Sequence, residues 1–182
     1  MKRFVSFYFI LFLIGCDSNK EEIYSNLDGV NHIEILNGPD NCKKYILNLV
    51  YEKDTILSPI FFDEILLKLE ESQSSWRSLS FQALGYYCCY LDTEQELKIQ
   101  ISLFNYFLHY PKEYMYQVSK IDLVKSDCFI NFFSNYIQYY LQNGEVTIIS
   151  MKNVAFKYCM DCSDSDILSI YQYLELASKF EK

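Results

Sequence analysis

Apolar positions along most of this chain recur every three or four residues. That is the period of helices burying one face rather than of alternating strands. Asn37-Gly38-Pro39-Asp40 breaks the chain, and Asp40 or Asn41 then caps a first helix with Tyr45, Ile46, Leu49 and Val50 on one side. Ser58-Pro59 is a start signal, a cap residue followed by proline at the first helical position, with Ile60, Phe61, Ile65 and Leu69 facing one way beyond it. A third helix is expected over about Trp76 to Leu91, with Leu79, Ala83, Tyr86, Tyr87 and Tyr90 on its apolar side. Thr93, followed three residues on by Glu96, has the form of a capping box. Leu97, Ile101, Phe104 and Leu108 continue that helix until His109-Tyr110-Pro111 ends it, because the residue before a proline is driven out of the α region. A short helix from about Pro111 to Val118 and a long one from Val124 to Leu141 follow. The long one carries Cys128, Phe132, Phe133, Tyr136, Ile137 and Tyr140 and stops at Asn143-Gly144. Ser163 or Asp164 opens a last helix, with Ile167, Ile170, Tyr171 and Leu174 along its face.

Two stretches depart from this period. Ile33-Glu34-Ile35 alternates like a short strand, although Ile23, Leu27 and Val30 before it keep helical spacing. Val146-Thr147-Ile148-Ile149 is rich in β-branched residues and suits a strand, yet no partner strand is evident. The pattern therefore predicts six or seven helices on short connections. The fold class is all-α, a multi-helix bundle or a short α-solenoid of helical hairpins. The blocks Ser58–Leu91 and Glu94–Leu141 are only loosely similar, so no repeat period emerges.

The N-terminus follows a different logic. Lys2 and Arg3 precede an apolar run from Phe4 to Ile14, too short for the about 20 residues that span a bilayer. The run ends Leu13-Ile14-Gly15-Cys16, which resembles the bacterial lipobox, the recognition site of the lipoprotein signal peptidase. The resemblance implies that the Cys16 thiol is diacylglycerylated, that the chain is cut before it, and that the new amino group is open to acylation. Residues 1–15 are then a lipoprotein signal peptide, 16–26 a charged tether (Asp17, Lys20, Glu21, Glu22), and 27–182 a single helical domain. The expected address is the bacterial cell envelope, with the body facing the periplasm or cell exterior and held to the bilayer through acylated Cys16. Asp17 implies inner-membrane retention in enterobacteria-like lipoproteins only, so the choice of membrane stays open.

Composition sharpens the range of partners. The net charge of −8 becomes −10 once Lys2 and Arg3 leave, which argues against nucleic acid and leaves room for a basic protein partner. With 17 Tyr and 14 Phe, most rings are expected in the core. The runs Tyr86-Tyr87 and Tyr136…Tyr139-Tyr140 are the alternative lining of a groove.

Six cysteines remain beyond Cys16: Cys42, Cys88, Cys89, Cys128, Cys159 and Cys162. An even number in an exported body points to disulfides, with at least one expected. Cys88 and Cys89 point about 100° apart on a helix, so they suit different partners better than each other. Cys159-Met160-Asp161-Cys162 has the spacing of a redox motif, but Asp161, Asp164 and Asp166 would raise a thiol pKa there, and a structural disulfide is the simpler use. No metal or cofactor site is expected, since this pair lacks two further ligands of suitable geometry. His32 and His109 are the only histidines, and His109 suits a helix end better than a general base. Asp63-Glu64 and Glu70-Glu71 suit a solvated helical face. No nucleophile elbow, zinc-protease helix or phosphate-binding glycine loop occurs. The expected function is a non-catalytic protein-binding module, an immunity-type toxin-neutralising protein being one form of it. A thiol-active or hydrolytic enzyme and a structural component of an envelope assembly are the alternatives.

Overall fold

A computed structural model describes residues 30–52, 56–88, 90–144 and 146–179. Among them nine α-helices and no strand occur: α1 His32–Asn37, α2 Cys42–Leu47, α3 Pro59–Lys68, α4 Ser74–Leu84, α5 Thr93–His109, α6 Pro111–Val118, α7 Leu123–Gln142, α8 Ile148–Tyr158 and α9 Asp164–Lys179. The all-α expectation holds. The signal peptide, Cys16, the tether and Cys89 lie outside the described residues.

Local chemistry explains most helix starts. Asn41 caps α2 by accepting a hydrogen bond from the Lys44 backbone N–H, and α2 runs on as a π-helical turn over Asn48–Glu52. Pro59 and Pro111 occupy first helical positions, where a missing N–H removes no intrahelical bond. The capping box of α5 sits one residue earlier than the sequence suggests: Asp92 caps and Gln95 answers it, leaving Thr93 inside the helix. Ser163 and Asp166 form a reciprocal pair at the start of α9.

Both strand expectations fail. Ile33-Glu34-Ile35 lies in α1, which Asn31 caps. Val146–Ile149 instead opens α8, where Thr147 and Ser150 complete a capping box. A Thr-x-x-Ser cap and the absence of a partner strand outweigh β-branched propensity there.

The helices share one core. Helices α5, α7 and α9 pack against one another, with α8 against α5 and α9, and α6 against α4, α5 and α9. At their centre Phe81, Phe107, Tyr114, Phe129 and Phe133 stack with centroid spacings between 4.6 and 5.6 Å. Tyr114 and Tyr173 share a buried hydrogen bond of 3.0 Å. Helices α2, α3 and α4 add a second group around Ile46, Leu47, Phe62, Ile65 and Trp76. Gly85 marks the close approach of the end of α4 to α7, since a Cβ there would meet the Lys125 side chain at 2.8 Å.

Burial corrects the expected faces of two helices. On α3 the buried stripe is Phe62, Ile65, Leu66 and Leu69, while Ile60 points to solvent. On α5 it is Ile99, Leu103, Tyr106 and Phe107, while Leu97 and Ile101 point out. Each helix carries two apolar faces, and only one can enter the core.

Candidate binding surface

The second faces of α3 and α5 lie side by side. On α3, Ile60, Glu64 and Leu67 follow one another at i, i+4 and i+7; on α5, Leu97 and Ile101 stand one turn apart. Ile60 is 80% exposed, Leu67 67% and Leu97 54%, so this apolar surface is displayed rather than packed. Between the helices runs a shallow groove of about 280 Å3 lined by Asp63, Leu66, Leu67, Lys98, Ile101 and Ser102.

Carboxylates surround it. Lys98 bridges the two helices, with its Nζ 3.1 Å from Asp63 Oδ1 and 3.1 Å from Glu94 Oε1. Hydrogen bonds donated to Glu94 and Asp63 hold the ammonium above the usual lysine range. One lysine thus faces both Asp63 and Glu94, and the surface keeps a negative balance. An apolar centre with a charged rim is the anatomy of a protein interface, and this rim favours a cationic partner.

A second concavity of about 400 Å3 opens where the α5–α6 junction meets the α8–α9 turn, lined in part by His109, Lys112, Glu113, Tyr116, Tyr158 and Cys159. Its polar groups serve the fold. Glu113 accepts from Arg77 and from the Tyr106 hydroxyl at 2.7 Å, and Lys112 Nζ donates to the Asp161 carbonyl at 3.1 Å. His109 ends α5, its Nδ1 2.9 Å from the Asn105 carbonyl oxygen and its ring edge-on to Tyr158. The helix-end reading of His109 therefore matches its place.

Each cysteine has a definite setting. Cys88 and Cys128 are joined with Sγ atoms 2.05 Å apart and Cα atoms 6.0 Å apart, tying the end of α4 to α7. Cys159 and Cys162 pair with each other across the α8–α9 turn, with Cys159 buried at the end of α8. Cys42 is buried and bonds no other cysteine among the described residues; desolvation, with the nearby Glu64 charge, pushes its thiol up to about 12. A thiol held neutral in this way is a poor nucleophile.

The tyrosine runs serve mainly as core. Tyr87 is buried, donating to the Ser58 carbonyl at 2.9 Å and bonded to Tyr45, and Tyr136 donates to Tyr140. Tyr139 and Tyr90 are exposed. Among the described residues no group of three or more His, Cys, Asp or Glu converges as a metal site, and no helix is long and apolar enough to cross a membrane. Comparison with protein-family models, curated proteins and solved structures finds no match to this chain.

What sequence reasoning missed is the α3–α5 face itself. Its signal was present: Ile60, Leu67, Leu97 and Ile101 are apolar positions in excess of what one buried stripe per helix requires.

Proposed function

We propose that this protein is a lipid-anchored bacterial envelope protein that works by binding another protein, not by catalysis, and that α3 and α5 form its recognition face. The observation that carries the reading is the exposed apolar strip of Ile60, Leu67 and Leu97 beside Asp63 and Glu94. The partner this face suits is a basic polypeptide with an apolar ridge, its cations meeting the rim and its ridge filling the groove. A cationic toxin acting at the envelope is such a partner, which would make the protein an immunity-type factor. The N-terminal lipobox supports the envelope address, and the pairings Cys88–Cys128 and Cys159–Cys162 suit an oxidising compartment.

The test is in-cell photo-crosslinking from position 67 in the acylated chain. The expected result is one dominant crosslinked polypeptide of basic character, lost on the double charge reversal Asp63→Lys, Glu94→Lys. Both carboxylates are exposed, so the reversed variant should keep its helical content. A crosslink pattern unchanged by the reversal, or no crosslinked polypeptide at all, contradicts the proposal.

A further inference from the structure

Among the described residues two disulfides tie the fold, and they do unequal work. Cys88–Cys128 joins residues 40 positions apart, whereas Cys159–Cys162 joins residues 3 positions apart, with Met160 and Asp161 between them. A disulfide stabilises chiefly by closing a loop in the unfolded chain, and so short a loop contributes least. The flanking helices hold together by other means. Helix α8 packs against α9, Met151 and Ala155 of α8 and Ile170, Tyr173 and Leu174 of α9 all join the common core, and Lys152 pairs with Glu175 across the two helices. What the bridge fixes is the turn. Apart from it, the turn is closed by the Cys162 backbone N–H donating to the Cys159 carbonyl at 3.3 Å. Asp161 stands inside this turn, its carbonyl accepting from Lys112 at 3.1 Å and its carboxylate 3.8 Å from the same ammonium. Lys112 belongs to α6, on one side of the concavity of about 400 Å3, while Tyr158, Cys159 and Asp161 form the other. The bridged turn therefore holds one rim of that concavity to its opposite rim.

We propose that Cys159–Cys162 is a reducible clasp: a dithiol opens it in the folded protein, Asp161 then releases Lys112, and the concavity widens. The inference needs neither the acylation of Cys16 nor a partner on the α3–α5 face. Access favours it. Cys159 is buried at the end of α8, but Cys162 is half-buried, and its neighbours Asp161 and Ser163 are exposed. Met160, at 95% exposure, leaves the outside of the turn open to an incoming thiol. A thiolate of the dithiol attacks the Cys162 sulfur, the S–S bond breaks, and Cys159 leaves as a thiolate that takes up a proton. The second thiol of the reductant then attacks the mixed disulfide, Cys162 is released and protonated, and the reductant departs as its own disulfide. The protein gains two electrons and two protons, and no other bond changes. Because α8 and α9 stay packed, the two thiols remain neighbours, and a disulfide oxidant recloses the turn by the reverse steps.

The test treats the full-length chain with dithiothreitol, reading the thiols by differential alkylation and peptide mass spectrometry and the lysines by acetic anhydride labelling. Cys159 and Cys162 should become alkylated while the helical circular dichroism stays unchanged. Acetylation of Lys112 should then rise about threefold, the scale of a lost exposed ion pair, with Lys98 on the α3–α5 face as the unchanged reference. Hydrogen exchange at the Cys162 amide should speed up about tenfold, as a locally opened turn requires. The double variant Cys159→Ser, Cys162→Ser should show the same labelling and exchange without any reductant, which separates this bridge from Cys88–Cys128. A pair that stays linked until the helical signal is lost makes the bridge part of the fold and overturns the inference. A pair that opens while Lys112 labelling and Cys162 exchange stay at their oxidised values overturns it as well.

Discussion

Arg77 is only 5% exposed, and every arm of its guanidinium is used. It donates to the Glu71 and Ser72 carbonyls, pairs with Glu113 through two nitrogens at 2.5 and 3.1 Å, and lies 3.7 Å over the Tyr110 ring. Desolvation alone would lower its pKa, but the Glu113 hydrogen bond and charge reverse that and keep it protonated. Removing one partner of a buried pair leaves an uncompensated charge, so Glu113→Ala should destabilise the fold by about 3–5 kcal/mol in urea unfolding followed by Trp76 fluorescence. Alkaline pH tests a second set of residues. Burial raises the Cys42 thiol to about 12 and raises the Tyr87, Tyr106, Tyr114 and Tyr173 hydroxyls as well. A folded pKa above the unfolded one gives stability that is whole below the unfolded value and lost as pH rises through the folded one. These groups should therefore add no slope between neutral pH and about pH 9, and stability should fall steadily above it, with the tyrosinate absorbance of the buried rings appearing together with unfolding. Arg77 and Glu113 are thirty-six positions apart in sequence, and no local pattern joins them; their pairing follows only from the packing of α4 against α6.

Among the elements, α8 shows where propensity misleads. Val146-Thr147-Ile148-Ile149 reads as strand by side-chain branching, yet Thr147 and Ser150 exchange hydrogen bonds with each other's backbone and start a helix. Thr147→Ala should cost about 1 kcal/mol in thermal or urea unfolding, with little loss of helical signal at room temperature. Helices α3 and α5 show the opposite difficulty. Their period was legible, as were the starts at Pro59 and Pro111. Two apolar stripes per helix fit that period equally well, and the core took Phe62, Ile65, Ile99 and Leu103 rather than Ile60, Leu97 and Ile101. Only the positions of neighbouring helices decide between such faces. The cysteines were legible as candidates, but the Cys88–Cys128 pair was not, because its partners stand 40 positions apart and meet only through the packing of the chain after α4 against α7. Cys128→Ser should lower stability by about 2–4 kcal/mol, and reducing agent should bring the parent protein toward the same midpoint.

At the scale of the whole molecule, an acidic helical body is proposed to hang from a lipid anchor. The α3–α5 face is proposed to meet a basic partner. The acidic balance of −8 for the full sequence reaches beyond the recognition face and should give partner association a strong salt dependence. The proposed envelope address rests on Cys16. Intact-mass and peptide mass spectrometry of the protein purified from envelopes of a lipoprotein-processing bacterium tests that point most directly. The account predicts a chain beginning at Cys16 and carrying diacylglycerol on its thiol. A protein that still begins at Met1, or one cut elsewhere with an unmodified Cys16, contradicts it.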